Sequence, residues 1–445
     1  MSALTWIAWA SSGAWAWLLL GQGFFWRTDL RLPAPGGVGD GPGGAGPGRA
    51  SEGAGEATQG APEGGPGPGG AGPGRASKGP GAAAQGGPDG SAEPPWPSVA
   101  VVIPARDEAE VLPSSLPSVL AQDYPGRAEV FLVDDGSTDG TGELARALAA
   151  AEGHGLPLTV SSPGEPAPGW TGKLWAVRHG MALARARTDA EYLLLTDADI
   201  AHEPDSLREL VRAARSNGLD LVSQMARLRV ATGWERLIVP AFVYFFAQLY
   251  PFRWVGRTDR RTAAAAGGCV LLSRAAAERA GIPGVIRQAV IDDVALAGAV
   301  KCGGGRIWLG LAERVDSVRP YPGLRPLWRM VSRSAYAQLR HNPLLLVATV
   351  AGLAVVYLAP PVAACTGLLT GGGGPLLPGA VAWAVMAGTY VPMLRYYRQT
   401  LWLAPLLPLS AALYLLMTVD SAVQHYRGRG AAWKGRTYPR PEAAP

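Results

Sequence analysis

The stretch 192-YLLLTDADIAHEPDSL-207 decides how the chain is read. Tyr192 to Leu195 make a short apolar strand that runs directly into two carboxylates, Asp197 and Asp199. In an extended chain, side chains at i and i+2 point the same way, so both carboxylates address one object. Two adjacent anions repel unless a positive charge stands between them. A hard divalent cation, Mg²⁺ or Mn²⁺, suits such an oxygen pair and commonly carries phosphates. The plainer alternative is a solvated Asp-rich turn ahead of a helix that starts near Glu203-Pro204.

Outward from this point, short apolar runs alternate with helical periodicity over residues 96–322. Residues 98–104, 128–135, 156–162, 191–196 and 219–224 read as strands, and 110–122, 138–153, 172–187 and 204–216 as helices. Such alternation implies βαβ units, hence an α/β domain with a mostly parallel mixed sheet flanked by helices. Ligands of these sheets bind beyond the carboxyl ends of the strands. The first, second and fourth strands end in polar clusters: PARDEAE (104–110), DDGSTDGT (134–141) and the Asp197–Asp199 pair. Each alone also serves as a turn or helix cap. Three such ends together point to one ligand.

The flanks are of a different kind. Residues 3–26 carry no charge and exceed the roughly 20 apolar residues needed to cross a bilayer. They lack the basic start and short core of a signal peptide. Arg27 and Arg31 follow, so residues 1–32 read as a membrane anchor with its N-terminus outside. Residues 33–95 are Gly, Pro and Ala with few large apolar side chains, and GGAGPGRAS occurs at both 43–51 and 69–77. This composition reads as a disordered linker.

Three further uncharged runs, 344–369, 376–394 and 401–419, make 344–424 a transmembrane region, followed by a basic tail, 425–445. Alternate crossing places that tail outside, against the charge rule, unless one run is re-entrant or interfacial. Three scattered cysteines give neither a disulfide framework nor metal-ligand spacing. The net charge of +5 gathers beside the apolar runs, which favours anionic lipid over nucleic acid as a partner.

The segments VVIPARDEAEVLPSSLPSVLAQDYP, VFLVDDGSTDGT, GWTGKLWAV, LLLTDADI and VIDDVALA together resemble family 2 glycosyltransferases of GT-A fold, and more narrowly the hopene-associated glycosyltransferases. The likeness runs from about Val99 to the WKGR at 433–436. It implies a nucleotide-sugar donor, UDP-linked, with Pro104, Arg106, Glu108, Asp134 and Asp135 near the nucleoside. It also implies that Asp197 and Asp199 hold a cation bridging the diphosphate, with Asp197 facing the donor. In VIDDVALA the family pattern Glu-Asp is replaced by Asp292-Asp293, so Asp293 is expected as the catalytic base, with Asp292 beside it. Helix N-capping is the alternative for both. Lys173 is expected to neutralise phosphate or orient the sugar, or else to be an exposed lysine.

Residues 323–343 read as an amphipathic interfacial helix. Arg325, Arg329 and Arg333 share one face, and Leu324, Trp328, Val331, Ala335 and Leu339 line the other. Arg329 and Arg333 are expected either to reach the donor diphosphate or to grip lipid phosphates. The Gln-x-x-Arg-Trp of processive relatives such as cellulose synthases is missing, which argues against polymer synthesis. Residues 237–255 form a second aromatic segment, dipping into the bilayer or packing in the core.

The expectation is a multi-pass enzyme of the cytoplasmic membrane, its catalytic domain facing the cytoplasm. It would transfer a sugar with inversion to a lipid acceptor of hopanoid type. The alternatives are a polyprenyl-phosphate or ceramide-type acceptor, or a non-catalytic nucleotide-sugar-binding scaffold.

Overall fold

A computed structural model describes residues 2–32, 95–371, 373–428, 432–434 and 436–437. The expected linker, 33–95, lies outside the described residues except for Pro95, as does most of the basic tail. The chain divides into Met1–Pro42 with Trp96–Pro445, and Gly43–Pro95. All described helices and strands belong to the first unit.

Helix α1 (Ala3–Leu20) precedes the sheet domain. The domain opens with β1 (Val99–Ala105), α2 (Leu112–Leu120), β2 (Ala128–Asp134), α3 (Thr141–Glu152) and β3 (Leu158–Ser161). It continues through α4 (Gly172–Arg187), β4 (Tyr192–Thr196), β5 (Ile200–His202), α5 (Ser206–Asn217) and β6 (Leu221–Leu228). All seven residues of β1 are buried, as expected for a central strand covered on both faces. The parallel registers β1–β2 and β1–β4 bring the carboxyl ends of these strands to one edge of the sheet.

The second half departs from simple alternation. After α6 (Gly233–Leu249) and α7 (Phe252–Val255), strand β7 (Cys269–Ser273) enters antiparallel between β4 and β6. Helices α8 (Arg274–Arg279) and α9 (Asp292–Cys302) lead to β8 (Ile307–Ser317), parallel to β6 and antiparallel to β5. The sheet order is β3-β2-β1-β4-β7-β6-β8-β5. It is the mixed, mainly parallel α/β sheet expected, of GT-A type, with apolar helices at both ends of the chain.

The expected interfacial helix is two pieces, α10 (Leu324–Ser332) and α11 (Ala335–Gln338), ending at Arg340 and His341 in left-handed backbone. Asn342 then caps α12 (Pro343–Leu353). A π-helical turn joins α12 to α13 (Ala359–Thr370), and α14 (Gly373–Tyr396) and α15 (Leu407–Tyr426) follow. By length and composition four described segments suit a bilayer: Ala3–Leu20, Pro343–Thr370, Gly373–Tyr396 and Leu401–Tyr426. No residue of α12 is buried, and Leu344, Val347, Leu368, Leu369 and Trp6 point outward, which lipid tolerates and water penalises. Helix α6 packs in the core against α14 and α15, with Tyr244 bonded to Thr389 at 2.7 Å. Core packing is therefore the role of most of the 237–255 segment.

The end of α14 is bonded to the sheet, and the end of α15 to α10 and α11. The Tyr396 hydroxyl, at the end of α14, donates to Ala312 O of β8 at 2.6 Å. At the end of α15, Asp420 accepts from Trp328 Nε1 at 2.9 Å and the Ser421 hydroxyl from Tyr336 N at 3.0 Å. Between them, the Ser410 hydroxyl donates to Leu237 O of α6 at 2.9 Å. The start of α14 instead meets the start of α1, where a Cβ on Gly374 would stand 3.3 Å from the Thr5 hydroxyl.

Candidate active site

The loops after β1 and β2 are zipped together. Asp107, left-handed at φ 50°, donates its N–H to the Ser137 hydroxyl at 2.9 Å and accepts Thr138 N–H at 2.8 Å. Glu108 N–H meets the Thr141 hydroxyl, and Ala109 N–H meets Asp139, both at 2.9 Å. Asp134 turns back to accept Ser137 N–H at 2.9 Å. The polar residues of 134–141 thus serve as local loop ties, and the loop they fix is what holds Glu108 in place. Asp135 is fully buried, with Arg106 Nη1 3.6 Å from its Oδ2 and also bonded to its carbonyl.

After β4, the Asp197–Asp199 turn is held from below by His202. This ring lies 3.0 Å from the Thr196 hydroxyl and 3.2 Å from the Ser206 hydroxyl. Burial lowers its pKa to about 4, so it is neutral at physiological pH.

Above the sheet edge lies a cavity of about 930 Å³. On its walls are Pro104, Glu108, Lys173, Asp197, Asp199, Asp292, Arg329 and Arg333, all expected from the sequence. Arg106, Asp134 and Asp135, expected near the nucleoside, are not among its lining residues. Asp293 borders a smaller space of about 30 Å³ that shares Pro104, Lys173, Asp197 and Asp292 with the large one.

Charges alternate along the cavity floor. Lys434 Nζ is 3.1 Å from Glu108, Glu108 is 2.6 Å from Arg319, and Arg319 is 2.8 Å from Asp199. On the other side Asp197 is 2.9 Å from Lys173, which is 3.1 Å from Asp292. Where the two rows meet, Asp197 and Asp199 stand as like charges side by side. Burial raises the pKa of Asp197, Lys173 opposes that, and Asp199 adds to it. Burial works against the charge on Lys173, yet Asp197 and Asp292 hold its pKa well above the ordinary value. For Asp293, burial and then Asp292 raise the pKa to about 6. Its two oxygens accept Gly267 N–H at 2.9 Å and Val294 N–H at 2.8 Å, the latter an N-terminal helix bond.

Among the described residues, no three His, Cys, Asp or Glu side chains gather into a metal cage. Asp197 Oδ2 and Asp199 Oδ1 nevertheless accept no bond from the described residues, while their partner oxygens take Lys173 and Arg319. Magnesium-type ions bind through one or two carboxylates and complete their shell with water and substrate phosphates. The pair fits a cation of that kind.

Membrane-side walls complete the cavity. Arg325, Arg329 and Arg333 all face it, and among the described residues none of the three is ion-paired. Trp328 joins them instead of lying on the opposite face as expected, because Leu327 and Val331 are the residues α10 buries. Helix α15 adds Asp420, Gln424 and His425. Sequence reading missed these three, along with Arg319, Tyr321 and Lys434. Arg319 follows β8, a strand whose place comes from pairing with β6 and β5 and not from local pattern.

Residues 100–281 match the family model described as glycosyl transferase family 2, and this stretch is a glycosyltransferase domain. An undecaprenyl-phosphate 4-deoxy-4-formamido-L-arabinose transferase of Aeromonas hydrophila is 35% identical over 137 residues, 29% of this chain and 37% of that protein. An N-acetylglucosaminyltransferase of Rhizobium leguminosarum bv. viciae is 27% identical over 180 residues, 40% of this chain and 37% of that protein. The chain thus spans less than two fifths of the length of either relative. A solved mannosyltransferase of Pyrobaculum calidifontis, in complex with GDP-mannose and Mn²⁺, aligns with a TM-score of 0.45 at 20% identity. That alignment covers 75% of this chain and 88% of that one.

Proposed function

We propose that the protein is a membrane-anchored inverting glycosyltransferase that moves a sugar from a nucleotide donor, UDP-linked, to a lipid. The observation that carries this reading is the single cavity. It extends from the Asp197–Asp199 pair and Lys173 to the arginine face of α10 and the end of α15, beside the apolar helices. A divalent cation held by Asp197 and Asp199 would neutralise charge on the departing nucleoside diphosphate. Lys173 orients Asp197 and Asp292. Asp293 takes the proton from the acceptor hydroxyl, for which a carboxylate with a raised pKa is suited.

The bonds at the ends of α14 and α15 support a membrane placement. Segments α1, α12–α13 and α14 cross, α15 lies against the sheet side, and the catalytic domain faces the cytoplasm, where nucleotide sugars reside. Anionic lipid is the natural neighbour of the basic residues at the helix ends.

The preferred acceptor is a lipid hydroxyl, of the hopanoid type suggested by the sequence resemblance, because a hydroxyl needs the base that Asp293 supplies. Arg325, Arg329 and Arg333, without an ion pair among the described residues, and the undecaprenyl-phosphate named for the Aeromonas relative favour a second reading in which the acceptor is a lipid phosphate. Membranes containing the protein, incubated with labelled UDP-sugars and extracted with organic solvent, test both. A label stable to mild acid marks a glycoside of a lipid hydroxyl, and an acid-labile label marks a glycosyl phosphate. Label confined to water-soluble products would refute transfer to lipid.

A further inference from the structure

Beyond α15, the strands β9 (Ala432–Trp433) and β10 (Arg436–Thr437) form a short antiparallel hairpin, and Lys434 stands at its turn with φ 47°. This turn reaches the catalytic cavity, which Lys434 helps to line. Three contacts dock it. Its Nζ is 3.1 Å from Glu108 Oε1 and donates to Asp107 O at 2.9 Å, and its own carbonyl accepts from Arg106 Nε at 3.1 Å. All three partners belong to the loop after β1, which the β2 loop holds rigid. The Lys434 side chain is only 27% exposed.

A lysine that merely tethered a chain end would be served by any of the exposed carboxylates on the surface. This one enters the cavity and shares a buried carboxylate with Arg319. With Asp199 counted, the row from Lys434 through Glu108 and Arg319 holds two cations and two anions and is balanced. At the other end Lys173 lies between Asp197 and Asp292, and there the excess is negative. A diphosphate bound to a cation at the centre is drawn toward the Glu108 end.

We propose that Lys434 is a substrate-contacting residue of the donor site, its ammonium binding a phosphate oxygen of the nucleoside diphosphate. The assignment rests on the glycosyltransferase reading. When Lys434 turns to the phosphate, Glu108 keeps Arg319 at 2.6 Å, so no buried carboxylate is left without a cation.

The test is equilibrium dialysis on the full-length protein in detergent with Mn²⁺, using UDP and GDP as probes and uridine and guanosine beside them. Lys434→Met is expected to weaken binding of the preferred diphosphate about ten- to a hundredfold while leaving its nucleoside within about threefold; Lys434→Arg should stay within about threefold for both. Undiminished diphosphate binding by Lys434→Met overturns the assignment and leaves the glycosyltransferase reading intact. Equal weakening of diphosphate and nucleoside overturns it too, since that marks a structural tether. Failure of the unaltered protein to bind either diphosphate would sink the glycosyltransferase reading, and the role of Lys434 with it.

Discussion

Arg319 Nε lies 2.8 Å from Asp199 Oδ2, so the second aspartate of the Asp-Ala-Asp turn is already paired on one oxygen and open on the other. The same guanidinium holds Glu108 at 2.6 Å. Replacing Asp199 with Ala therefore leaves Arg319 a partner, and the fold should survive. What would be lost is the oxygen proposed to hold the cation. Asp199→Ala is expected to abolish the increase in nucleotide affinity that Mn²⁺ gives, with far-UV circular dichroism unchanged.

With Asp293 as the proposed base, transfer is expected to depend on pH. A base with a pKa of about 6 is protonated and idle below that value, so transfer should rise through about pH 6 and level off above it. Asp293→Asn should keep donor binding and lose roughly 10²- to 10⁴-fold in turnover, along with that acid limb. Pre-steady-state transfer measured from pH 5 to 8 checks both. An acid limb that persists in Asp293→Asn assigns the base elsewhere. A flat profile in the parent protein favours the lipid-phosphate acceptor, which needs no base.

His202 supports the Asp197–Asp199 turn without touching the cavity. Its imidazole is neutral down to about pH 4, so its bonds to Thr196 and Ser206 do not change between pH 5 and 8. His202→Leu takes a partner from the buried Ser206 hydroxyl and leaves Thr196 only its bond to Gly268 O; it should cost roughly 1–3 kcal/mol at pH 8 and less at pH 5, where the unfolded imidazole gains a proton that the buried one refuses. Thermal unfolding at the two pH values measures it.

Thiol labelling can read the proposed membrane topology. In a background lacking the exposed Cys302 and Cys365, cysteines at Thr370 and Arg427 probe the far side and the sheet side. An impermeant reagent should modify Thr370→Cys on intact cells and Arg427→Cys only after permeabilisation. Labelling of both from outside would mean that α15 crosses.

Much of the sheet and its rim is legible in the sequence. The apolar runs ending in Asp197, Arg106 and Asp134 announce parallel strands because a buried strand leaves polar residues only at its end. Helix 172–187 is found where Thr171 caps it and the periodicity starts. By contrast, β5 has three residues, and β7 and β8 gain their places from pairing with distant strands, which local pattern does not carry. Arg319 and Lys434 escaped for the same reason. Their partners, Asp199 and Glu108, are 120 and more than 200 residues away in sequence, and only folding brings them together. On α15, hydropathy reads a span, and only folding brings Asp420 and Ser421 at its end to Trp328 of α10 and Tyr336 of α11.

The most direct measurement is sugar transfer by the purified full-length protein in lipid nanodiscs, with a labelled UDP-sugar panel, before and after a divalent-metal chelator. The expected result is label entering the lipid fraction, loss of that transfer in chelator, and its return on adding Mn²⁺. Transfer that proceeds undiminished in chelator would contradict the central claim that Asp197 and Asp199 act through a shared cation.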